Sequence, residues 1–192
     1  LAFFAIVAQY GTVAFASYGI GVTLVAFSIV IGFGFGIATA TLAGQQLGAG
    51  DKEAAMKAVS RSLRMALAAM VFLSIVLALA AEPLARFMID DEEVVQLTVI
   101  FIYLLALAQP MMAVEFALGG ALRGAGDTRF PLVATFCGII LGRLIPALIF
   151  LAIGLSIVWI YAVMLIDYAI KAVMLLHRYR SRKWLEVKID TH

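Results

Sequence analysis

The sequence predicts an all-α fold, a polytopic membrane helix bundle, and three observations carry that prediction. The charged residues fall in narrow bands: 51–64, 82–93, 123–129 and 178–190. Between the bands lie almost purely apolar runs of about 20 residues or more, enough to cross ~30 Å of hydrocarbon at 1.5 Å per residue. The composition agrees: the chain is 65% hydrophobic, against about 45–50% in soluble domains, with a mean hydropathy of +1.08. A soluble domain would spread its charges along every amphipathic helix.

Six helices are expected. Residues 1–9 read as the end of a first helix, because the chain begins at Leu1 inside an apolar segment, without a charged leader region. Tyr10-Gly11-Thr12 is a break with Thr12 as N-cap. Residues 13–47 form a second helix, longer than one simple span, so a bend or an interfacial start is expected, the natural bend being the glycines of Gly32-Phe33-Gly34-Phe35-Gly36. Gly48-Ala49-Gly50-Asp51 stops it, and Asp51 caps a third helix over 52–81, amphipathic to Arg64 and then apolar, with Pro83 following. The fourth helix, 94–122, holds Pro110 near its middle, where a kink is expected. The fifth, 130–153, carries Pro131 in its first turn. The sixth spans 156–177, and 178–192 forms a tail.

Orientation follows from Lys and Arg. Eleven of them lie in the bands 51–64, 123–129 and 178–190, and one, Arg86, lies in 82–93. Alternating helices put the three rich bands on one side, so that side and the C-terminal tail are expected in the cytoplasm. The other two cations, Arg143 and Lys171, fall within spans.

Three stretches resemble a known family. Ala38–Asp51 (ATATLAGQQLGAGD) is similar to the end of the second helix in one half of a multidrug and toxic compound extrusion (MATE) transporter. Gly119–Pro131 (GGALRGAGDTRFP) resembles the short cytoplasmic loop near the end of that half, and Val158–Trp184 resembles the last helix and tail of bacterial members. The resemblance implies that residues 1–192 are the C-terminal six-helix lobe of a two-lobe transporter: a truncated first helix, five full helices and the N-terminal lobe as partner. It implies a multi-pass protein of a prokaryotic inner membrane. It also implies export of organic cations in exchange for Na+ or H+, with no other cofactor.

Ionisable residues inside a bilayer are expensive and are the first candidates for function. There are four: Glu115, Arg143, Asp167 and Lys171. Counting residues puts Arg143 and Asp167 near mid-membrane on neighbouring helices, so contact is expected. Lys171 follows Asp167 by four residues, the favourable order for a helical pair. Two readings stand for these three: ion pairs that hold helices in register, or a proton or ion relay. Glu115 lies at a depth close to that of Lys171 and has no base on its own helix before Arg123, two turns away; either the two acids and two bases neutralise one another, or Glu115 loads a proton or binds a cation. In some family members a functional acid on this helix lies about one turn earlier, near Met112. Gln109-Pro110 is either a plain kink or a place where freed carbonyls and an amide meet a cation or substrate.

Other classes fare poorly. The only histidines, His177 and His192, are at the tail, so no His-based metal site or catalytic triad is expected in the membrane, and no enzyme. The single cysteine, Cys137, has no disulfide partner and no metal-ligand company. A net charge of +2 does not point to nucleic acid, and the basic run from Arg178 to Lys183 suits anionic lipid headgroups. A lipid-linked glycan flippase of the same architecture is the nearest alternative; its anionic cargo calls for a cation-rich cavity. A membrane scaffold without transport is the other.

Overall fold

The computed structural model describes residues 2–186; Leu1 and residues 187–192, with Lys188, Asp190 and His192, lie outside the described residues. Helix α1 (Ala2–Ala8) leads into α2 (Thr12–Gly48), α3 (Lys52–Leu79), the short α4 (Ala81–Met88) and α5 (Glu92–Gly124). The fifth span is composite: α6 (Arg129–Cys137), a π-helical stretch (Gly138–Leu144) and α7 (Ile145–Ile153). Helix α8 (Ile157–Arg180) and a 3-10 turn (Lys183–Glu186) complete the described chain. Five of these units are long and apolar enough to cross a membrane, and among the described residues there is no strand.

Helix α5 is the hub, packed against α2, α3 and α8. The outer faces of the bundle stay apolar. Phe27, Val30 and Ile37 on α2 and Phe72 and Leu79 on α3 are exposed on this lobe, an apolar surface that suits lipid or a neighbouring membrane helix. The tightest packing is between α2 and α5, where small residues let backbones touch. A Cβ on Gly120 would run into the Gly36 carbonyl, and one on Gly124 into the Ala40 carbonyl. The expected bend at 32–36 does not interrupt α2. The apolar run continues as one helix, with Gly32 and Gly36 facing α5.

Both GAGD sequences close their helices in the same way. Gly50 and Gly126 adopt φ of +80° and +86°, and Asp51 and Asp127 return their N–H to Gln46 and Leu122 carbonyls at 3.0 and 2.9 Å. This is the glycine-terminated C-cap in which an otherwise orphaned carbonyl is satisfied. Asp51 then caps α3 as expected, accepting from the Ala54 N–H at 2.8 Å.

Three boundaries differ from the sequence reading. Thr12 is not the N-cap; Gly11 holds that place at φ +95°, and Thr12 is the first helical residue. Pro83 does not follow the third helix but lies in the first turn of the separate helix α4, where a missing N–H costs nothing. Residues 178–186 are not a free tail, because α8 runs on to Arg180 and Trp184 is fully buried. Trp184 packs with Ala55, Val59, Leu122 and Ala125. The three basic bands therefore share one end of the bundle. Arg86 bridges Glu82 (3.0 Å) and Glu92 (2.8 Å) within the remaining charged band.

A buried four-charge chain as the candidate functional site

The π-helical stretch shapes the site. Pro146 has no N–H, and its ring crowds the turn before it. The ladder widens there, and the Ile145 N–H reaches the Ile140 carbonyl, five residues back. Gly138 and Gly142, four residues apart, turn toward α8. A Cβ on Gly142 would lie 2.7 Å from Asp167 Cα, and one on Gly138 would lie 2.5 Å from Asp167 Oδ1. Only glycine admits α8 this closely, and the approach brings Asp167 to Arg143.

All four intramembrane charges meet. Arg143 Nη2 lies 2.8 Å from Asp167 Oδ2, and Lys171 Nζ lies 2.9 Å from Asp167 Oδ1. Lys171 Nζ also lies 3.5 Å from Glu115 Oε1. The chain runs Arg143–Asp167–Lys171–Glu115 across the fifth span, α8 and α5. The Asp167 side chain is 1% exposed and that of Lys171 8%, so neither charge has bulk water as an alternative partner. The Tyr168 ring faces the Lys171 ammonium at 5.0 Å and the Arg143 guanidinium at 6.0 Å, adding a cation–π contact to each.

Glu115 has no base on its own helix within a turn, and its partner, Lys171, reaches it from α8 at the matching depth that residue counting gives. Glu115 Oε2 is nevertheless buried without a hydrogen-bond partner among the described residues, as is Arg143 Nε.

Gln109 and Pro110 stand apart from this chain. Gln109 is fully buried between α5 and α2, and its amide N–H donates to Ser28 Oγ at 2.7 Å. Pro110 frees the Ala106 carbonyl, four residues earlier, but that carbonyl is not open to a cation. Ser74 Oγ of α3 donates to it at 2.6 Å, the usual repair for a proline within a membrane helix.

A cavity of about 310 Å³ adjoins the chain at its Arg143 end, with Phe3, Tyr18, Phe101, Tyr161 and Met164 among its walls. Tyr161 is fixed in place: its hydroxyl donates to the Ala14 carbonyl at 2.8 Å and lies 2.6 Å from Ser17 Oγ. At the basic end, Arg178 Nε holds Asp127 Oδ2 at 2.7 Å and its guanidinium covers the Phe130 ring at 5.3 Å. Sequence reasoning missed these contacts and the Gly138/Gly142 pair. Two small residues four apart, ahead of a proline, were the available signal for the pair.

Comparison with known proteins gives the chain its family and its fold. The MatE family profile matches residues 1–149. A probable multidrug resistance protein NorM of Thermotoga maritima is 29% identical over 177 residues, covering 91% of this chain and 38% of that protein. A probable multidrug resistance protein NorM of Mannheimia succiniciproducens is 33% identical over 133 residues, covering 69% of this chain and 29% of that protein. The solved inward-facing conformation of a multidrug resistance MATE family transporter of the MOP superfamily superposes with a TM-score of 0.86 at 25% identity. It covers 99% of this chain and 42% of that one. The chain thus spans less than half the length of each of these relatives, as a single helical lobe. It is a multi-pass membrane protein, and it belongs to the MatE family of transporters.

Proposed function

We propose that this lobe, with the N-terminal lobe of the full-length protein, forms an antiporter that exports organic cations in exchange for Na+ or H+. The single observation that carries the reading is the four-charge chain. Two acids and two bases are gathered from three helices inside a membrane bundle, and Glu115 keeps one buried oxygen without a partner. Register alone would need only a pair. A proton or Na+ loaded on Glu115 neutralises the anion beyond Lys171. Lys171 then leans wholly on Asp167 and competes there with Arg143. The loading state of α5 is in this way communicated through α8 to the fifth span, which is what coupling requires. Gln109 likewise keeps its amide oxygen buried without a partner among the described residues and is the second cation or substrate contact in this reading, while Pro110 shapes α5.

The positive-inside distribution supports a cytoplasmic basic end and C-terminus, and the family supports a cell membrane, in this reading a prokaryotic inner membrane. No cofactor beyond the coupling ion enters this reading, and no enzymatic step. The chain is balanced two against two, which supports a cationic cargo over the anionic cargo of a lipid-linked glycan flippase. The test is dye efflux by the full-length protein in sealed vesicles, with Na+ and pH gradients imposed separately. Efflux of a cationic dye driven by one gradient is expected; efflux indifferent to both contradicts antiport.

A further inference from the structure

The basic end of the bundle holds a cavity that the transport reading does not use. Met56, Lys57, Ser60, Arg61, Arg64 and Tyr179 line about 330 Å³ between the charged end of α3 and α8. Lys57, Arg61 and Arg64 follow at spacings of four and three, so they project from one face of α3, and all three are exposed. No acid lines this cavity. None of the three cations makes an ion pair among the described residues.

The opposite wall is held by the buried Trp184, which stacks on Tyr179 with ring centres 5.9 Å apart and donates its indole N–H to the Tyr179 carbonyl at 3.2 Å. In the adjoining cavity, Lys52, Lys57 and Arg182 face Glu53 and Glu186, so cations still outnumber acids.

Beyond the cations the same face of α3 turns apolar. Met65, Ala68, Phe72, Ile75 and Leu79 continue the spacing from Arg61 and are all exposed. One leaflet is about 15 Å deep, half of a ~30 Å hydrocarbon core, and at 1.5 Å per residue the part of the stripe from Met65 to Ile75 matches that depth.

We propose that this face of α3 binds one anionic phospholipid. Its phosphate sits among Lys57, Arg61 and Arg64, and its acyl chain lies along Met65 to Ile75. Arginine forks match phosphate oxygens in pairs, and here they stand where a headgroup meets its tail. The site goes beyond juxtamembrane charge, because it needs these side chains in this arrangement. It is independent of the antiport reading.

Native mass spectrometry of the full-length protein tests it, with phosphatidylglycerol, phosphatidylcholine of the same chains, and glycerol phosphate as probes. One phosphatidylglycerol is expected to be retained where phosphatidylcholine is lost and where glycerol phosphate does not compete. The R61Q/R64Q double variant is expected to lower that retention at least tenfold. The R129Q/R180Q variant, which removes the same charge from exposed positions elsewhere, is expected to leave it unchanged. Equal losses in the two variants, equal retention of the two lipids, or displacement by glycerol phosphate would each overturn the proposal.

Discussion

Asp167 holds two cations at once, and this makes the site asymmetric to mutation. Removing Arg143 leaves two carboxylates sharing Lys171; removing Asp167 leaves the Arg143 guanidinium without its ion-pair partner. Removing both leaves the neutral pair Lys171–Glu115. Breaking a buried pair from one side costs about 3–5 kcal/mol, whereas replacing both partners with apolar groups is often close to neutral. Arg143→Leu and Asp167→Leu are therefore each expected to lower the thermal midpoint of the full-length protein more than the double variant does. A double variant as damaged as the sum of the two would contradict the pairing. This contact was legible in the sequence because depth along adjacent helices can be counted. The Lys171–Glu115 contact was legible only as a matching depth, since its formation depends on α5 lying against α8, which no local pattern encodes.

At the scale of elements, the proline in α5 is repaired by α3. Ser74 Oγ donates to the Ala106 carbonyl that Pro110 leaves free. Ser74→Ala is expected to strand that carbonyl at a cost of about 1–3 kcal/mol, read as a lower unfolding midpoint. Ser74→Thr keeps the hydroxyl and is expected to recover most of the loss. Equal stability of Ser74→Ala and the native protein would mean that another donor serves Ala106. Helix number and type were legible, because long apolar runs between charge bands admit little else. The glycines at 32–36 do not interrupt α2, for a physical reason. Glycine weakens an isolated helix, but Gly32 and Gly36 form the close-packed seam with α5 at Phe116 and Gly120, whereas Gly34 has open space beside it. The π-helical stretch was hidden because its cause, Pro146, lies inside a run read as one helix.

At the scale of the molecule, the basic bands gathered at one end predict a sidedness. Cysteine placed at Asp91 is expected to react with an impermeant thiol reagent in intact cells, and cysteine at Thr128 only after lysis; the reverse pattern would invert the bundle. The lobe itself could be read from charge bands and motif order, but its coupling could not, because the four charges become one unit only through packing. The central claim is that the unit joined at Glu115 links ion movement to export. The most direct measurement compares Glu115→Gln with the native full-length protein in vesicles, across a range of pH and Na+. The variant is expected to insert and fold normally while losing gradient-driven efflux, because its side chain keeps its shape and no longer titrates. Native export by Glu115→Gln under every gradient would contradict the account and leave the four-charge chain as a purely structural brace.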